Sequence, residues 1–201
     1  LEFYGYLYKP IDASPENKVP ALLMIHGGPG GQSRPAYSGQ KQFMVNHGYA
    51  IFDLNYRGSG GFGRTFSMAD DQKHGKEPLW DCVDAKNWLR TNVDWIDPDK
   101  IGILGGSYGG YMVMAALAFE PDEFSVGINL FGVTNWVRTL KSIPPWWESF
   151  KLALYRELGN PETQEEMLRQ ISPLFNADNI TRPVIILQGA NDPRVLQVES
   201  D

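Results

Sequence analysis

At 201 residues with 42% hydrophobic and 21% charged side chains, the chain has the size and composition of one ordinary globular domain with a substantial core. A net charge of −6 speaks against nucleic acid as a partner, since phosphate binding requires a basic face. Cys82 is the only cysteine, which excludes an internal disulfide and suits a packed thiol in a cytoplasmic protein. No run of 18 apolar residues predicts a membrane span, and Leu1-Glu2-Phe3-Tyr4-Gly5-Tyr6 lacks the charged-then-apolar order of a signal peptide. The absence of an initiator Met suggests a piece of something longer.

Along the chain, short runs rich in Ile, Val and Leu alternate with longer stretches of helical character. Strands are predicted at Ala21–Ile25, Tyr49–Leu54, Lys100–Leu104, Val126–Leu130 and Pro183–Leu187. Residues 79–92 place Leu79, Cys82, Val83 and Leu89 on one side of a helical wheel. Residues 107–119 are apolar all round and predict a buried helix. Such alternation predicts an α/β fold, a mostly parallel sheet with helices on both faces. The stretch 136–179 breaks the rhythm with Pro144-Pro145-Trp146-Trp147 and a charged helical segment near 148–158. It reads as an insertion over the sheet edge within one domain spanning 1–201, not as a second domain.

Gly105-Gly106-Ser107-Tyr108-Gly109 fits G-x-S-x-G between a strand and a buried helix, the setting of a nucleophile elbow. So tight a turn forces the serine into a strained conformation, and flanking glycines remove side chains that would collide. The helix start then offers the Tyr108 N–H to a developing oxyanion. His26-Gly27-Gly28-Pro29-Gly30-Gly31 follows the first predicted strand, where α/β-hydrolases place a second oxyanion donor, here the Gly28 N–H. Asp192, in Gly189-Ala190-Asn191-Asp192-Pro193-Arg194-Val195 after the last strand, is placed to orient a catalytic imidazole. Gly58-Ser59-Gly60-Gly61-Phe62-Gly63 matches a dinucleotide fingerprint literally, but no amphipathic helix follows it and cofactor binding is not expected. No Cys/His cluster has ligand spacing, so neither a metal nor an organic cofactor is expected.

Taken together, His26–Gly31, Asn55–Gly63, Trp95–Lys100 leading into Gly105–Gly110, and Gly189–Val195 resemble the catalytic domain of the prolyl oligopeptidase family of serine peptidases. The resemblance implies the α/β-hydrolase fold and a short peptide substrate. It implies Ser107 as nucleophile, Asp192 as triad acid, and Gly28 and Tyr108 as backbone oxyanion donors. It places Arg194 on a substrate carbonyl, and Val195, Trp146, Trp147 and Tyr155 around the residue before the scissile bond. The family's histidine follows the acid, whereas His26, His47 and His74 all precede Asp192. The histidine, with the final strand and helix, is therefore expected beyond residue 201, and the isolated stretch is expected to be inactive. Many members also carry an N-terminal β-propeller, of which nothing is visible. A carboxylesterase on the same scaffold, or a non-catalytic binding module using Trp146 and Trp147 as an anchor, are the alternatives.

Overall fold

The computed structural model describes residues 2–143 and 145–201, so Leu1 and Pro144 of the motifs quoted above lie outside the described residues. Six strands, β1 (Tyr4–Tyr8), β2 (Val19–Ile25), β3 (Ala50–Asn55), β4 (Ile96–Gly106), β5 (Gly127–Leu130) and β6 (Val184–Leu187), form one sheet in the order β1-β3-β2-β4-β5-β6. All pairings are parallel except that of β1, which runs antiparallel to β3. The five predicted strands are all present. The first residues add β1, half-exposed at the sheet edge and without the Ile, Val and Leu run that marks a buried strand.

The helices are α1 (Gly39–Asn46), α2 (Arg64–Ser67), α3 (Glu77–Asn92), α4 (Tyr108–Phe119), α5 (Trp136–Lys141), α6 (Glu148–Leu158) and α7 (Glu165–Gln170). Alternation along β2 shows how they sandwich the sheet. Leu23 and Ile25 join the core shared with α3 and α4, whereas Leu22 and Met24 face the other way, toward Met44 and Val45 of α1. Helix α4 is buried along almost its whole length, as its uniformly apolar sequence requires. Among the described residues, no helix is long and apolar enough to cross a membrane.

The stretch from Trp136 to Asn179 folds into α5, α6, α7 and two 3-10 segments. Trp136, Val137, Leu140, Leu158 and Leu168 sit in the same core as Tyr108, Tyr111 and Met112 of α4. The segment thus packs over the start of α4, beside the elbow, and is continuous with the domain core. At the far edge, Ile185, Ile186 and Leu187 of β6 are 39–55% exposed, unusual for a parallel strand.

Candidate active site

Ser107 links β4 to α4 with φ 56° and ψ −120°, a backbone conformation that side chains rarely adopt. Its surroundings explain why it is held there. The Ser107 N–H donates to the Leu130 carbonyl at 3.0 Å, and its own carbonyl accepts the Tyr111 N–H at 3.0 Å, starting the helix. A Cβ at Gly105 would collide with the Gly109 backbone, and one at Gly109 with the Ile25 carbonyl of the neighbouring strand. The glycines therefore let strand, turn and helix approach to backbone contact. As first residue of α4, Tyr108 lacks an intrahelical carbonyl for its N–H, which leaves that donor at the helix start beside Ser107.

The loop after β2 lies against this turn. A Cβ on Gly27 would touch that of Ser107 at 3.4 Å, and Gly28 takes φ +136° ahead of a cis bond to Pro29. The Asn55–Gly63 segment supports this loop. The Tyr56 hydroxyl donates toward the His26 and Pro29 carbonyls at 3.1 and 3.0 Å, and His26 Nε2 lies 2.7 Å from Ser59 Oγ. The Gly60 N–H donates to the Gly31 carbonyl at 2.8 Å. Arg57 grips the buried Asp81 of α3 through its backbone N–H and Nε at 2.9 and 2.8 Å. The glycine-rich segment thus packs against and supports the loop after β2. Burial holds His26 below its ordinary pKa, against the opposing pull of the Gly27 carbonyl, so the ring is neutral at pH 7.

Asp192 Oδ1 accepts the backbone N–H groups of Arg194 and Val195 at 2.8 and 3.0 Å, fixing the carboxylate in a turn that opens on the Ser107 side. One cleft is lined by both Ser107 and Asp192, with Phe131 and Trp146. A second pocket runs from Gly28, Ser107 and Tyr108 to Arg194, Val195 and Trp147, and its far wall is apolar. The Arg194 guanidinium lies 5.3 Å from the Trp147 ring centre. Tyr155 lies on neither lining. Its neighbour Leu154 and the residue one turn on, Leu158, face the pocket instead, and Tyr155 stands about 100° round the helix with its hydroxyl toward the Leu140 carbonyl at 3.4 Å.

None of the three histidines pairs with Asp192. His26 is engaged with Ser59, His47 is on α1 with Nδ1 2.7 Å from the Phe43 carbonyl, and His74 is buried beneath Tyr108. Two functional groups had no signal in the sequence. Glu199, near the chain end, anchors the segment after Asp192 onto α5. His74 contacts the side chain of Tyr108 and shares a largely buried cluster with Asp70 and Glu157.

The prolyl oligopeptidase family profile matches residues 35–200. Dipeptidyl aminopeptidase BIII of Pseudoxanthomonas mexicana is 40% identical over 208 aligned residues, covering 100% of this chain and 30% of that protein. Dipeptidyl peptidase family member 6 of Caenorhabditis elegans is 36% identical, covering 90% of this chain and 25% of its own. Among solved structures, an acylaminoacyl peptidase in complex with Z-Gly-Gly-Phe-chloromethyl ketone superposes with a TM-score of 0.87 at 31% identity, over 100% of this chain and 32% of that one. The chain thus spans about a third or less of the length of the relatives it matches. With the strand–Ser107–helix turn and the α/β-hydrolase sheet in place, the chain belongs to the prolyl oligopeptidase family of serine peptidases.

Proposed function

We infer that this chain is the catalytic portion of a serine peptidase that cleaves short peptides through an acyl-enzyme on Ser107. The observation that carries this reading is the strained Ser107 turn between strand and helix, with Gly28 and Tyr108 on the same pocket. Ser107 Oγ attacks the peptide carbonyl carbon while an imidazole removes its proton. The carbonyl electron pair moves onto oxygen, which the Gly28 and Tyr108 N–H groups stabilise. Collapse expels the amine, protonated by the imidazolium, and water hydrolyses the ester by the same route. Asp192 orients that imidazole and balances its charge.

The positions of His26, His47 and His74 support a base supplied from outside residues 1–201. The exposed apolar side chains of β6 support further sheet structure beside it. A buried free thiol at Cys82 suits a reducing compartment such as the cytoplasm. Arg194, exposed beside Trp147 at the pocket rim, would hold a substrate carbonyl.

Fluorophosphonate labelling of the full-length protein tests the reading. One adduct, lost in Ser107→Ala, is expected, together with faster turnover of peptide anilides than of a p-nitrophenyl ester. The reverse preference would make the protein a carboxylesterase on this scaffold. Absence of labelling would favour a non-catalytic module.

A further inference from the structure

Behind Tyr108, on the side away from the pocket, three potential metal-binding side chains converge. Asp70 and His74 come from the loop joining α2 to α3, and Glu157 comes from the last turn of α6. One donor atom from each lies within 4.8 Å of the other two. Asp70 is fully buried and His74 is 1% exposed, yet both Asp70 carboxylate oxygens and His74 Nε2 lack a hydrogen-bond partner among the described residues. Buried polar atoms are almost always partnered, so these unpartnered atoms beside the Glu157 carboxylate call for a partner that the described residues do not supply. The chain crowds them together deliberately. A Cβ on Gly58 would overlap the Asp70 carboxylate, and the Gln72 N–H donates to the Glu157 carbonyl at 2.7 Å, pinning the loop to α6.

We propose that Asp70, His74 and Glu157 form a binding site for a divalent cation, with Zn²⁺ the best match to one imidazole and two carboxylates. Two carboxylates balance the cation's charge, and a water completes four-coordination. Ligand atoms about 2.1 Å from zinc stand roughly 3.4 Å apart in a tetrahedron, which small rotations of these side chains reach. The second shell is already built. His74 Nδ1 lies 2.6 Å from the Tyr108 hydroxyl. A proton on Nδ1, donated to that oxygen, leaves the Nε2 lone pair facing the cluster, the usual arrangement around a ligating histidine. Without a cation, burial pushes Asp70 and Glu157 up to about 7 and His74 down to about 4. The cation would tie the 70–76 loop to α6, whose Leu154 and Leu158 line the pocket.

The test needs no peptidase activity. Full-length protein is stripped with a chelator and titrated with Zn²⁺ by calorimetry, and with Co²⁺ by visible absorption. One site per chain is expected, with a rise in melting temperature on Zn²⁺ addition. Asp70→Asn, His74→Gln and Glu157→Gln should each weaken binding by at least about tenfold, the loss typical even of outer-shell changes. Glu157 is only part-buried, so Glu157→Gln keeps the test open if the other two variants misfold. His47→Ala, which removes an exposed imidazole, should bind as the parent does. Absence of saturable binding, binding unchanged by all three substitutions, or binding lost in His47→Ala would each overturn the proposal. So would stabilisation by Asp70→Asn with no cation bound, which would mark a proton-sharing carboxyl pair instead.

Discussion

The Glu199 carboxylate accepts the backbone N–H of Thr134 at 2.8 Å, across 65 residues of sequence. The same carboxylate accepts the Asn135 N–H and Arg138 Nε, each at 2.8 Å, and the Thr139 hydroxyl at 3.1 Å. It therefore ties the segment that follows Asp192 and Arg194 to the residues that lead into α5, whose N-cap is Asn135. Burial alone would raise its pKa, but the hydrogen bonds from Arg138, Thr134 and Asn135 outweigh burial and hold it below the usual 4.5.

Glu199→Ala is accordingly expected to cost about 2–4 kcal/mol, because buried N–H groups and the Arg138 charge lose their partner together. The pH dependence has a definite sign. A depressed folded-state pKa gives stability that is complete above the unfolded value and fades as pH falls through the folded one. Urea unfolding of parent and variant from pH 7 to pH 3 should show the gap closing below about pH 4.5. A gap independent of pH would refute the charge-based account.

Ser107→Ala and Ser107→Gly should both abolish fluorophosphonate labelling, but they should differ in stability. At φ 56° only glycine is relaxed, and such strain costs on the order of 1–3 kcal/mol. The glycine variant should thus melt higher than the alanine variant by the equivalent of about 1 kcal/mol. Equal melting temperatures would mean that the turn stores no strain.

Gly109→Ala should cost about 4 kcal/mol or prevent folding, since the new methyl group meets the Ile25 carbonyl in the centre of the sheet and neither backbone can move away. Gly39→Ala is the control. Nothing lies within 4 Å of the added carbon, so removing a helix glycine should stabilise by about 0.5–1 kcal/mol. Thermal melts of the two variants separate close packing from glycine content as such.

Val133, Leu140, Leu158 and Val195 make the pocket wall apolar. A peptide anilide with Phe or Leu before the scissile bond should have kcat/KM at least about tenfold above one with Asp, as burial of such a side chain is worth about 1.5–3 kcal/mol. Val195→Asp should erase that preference. Loss of kcat with the preference intact would place the binding site elsewhere.

Asp192→Asn in the full-length protein should lower kcat by about 10⁴ with KM little changed, the effect of a wrongly held imidazole tautomer. A loss under tenfold would remove Asp192 from the triad.

Much of this architecture was legible in residue order. Buried parallel strands need uninterrupted Ile, Val and Leu runs, so β2 to β6 declared themselves, as did α4. Gly105, Ser107 and Gly109 marked the elbow because only small residues permit backbone contact there. β1 escaped notice because an exposed antiparallel edge strand needs no such run. The resemblance sets Tyr155 on the pocket, but Leu154 and Leu158 line it instead, because a resemblance in a variable segment does not fix which side of α6 a residue faces. Glu199 and the Asp70–His74–Glu157 cluster were illegible for a stronger reason. Their partners lie 60 or more residues away in the sequence for Glu199, and on a separate helix for Asp70 and His74, and they meet only after α5 and α6 pack over α4. Sequence alone determined the run of strands from β2 to β6 and the tight glycine-flanked turn at Ser107, because both depend on neighbours within a few residues. Tertiary structure decided what surrounds that nucleophile, because burial and hydrogen bonding are set by which distant segments share a core.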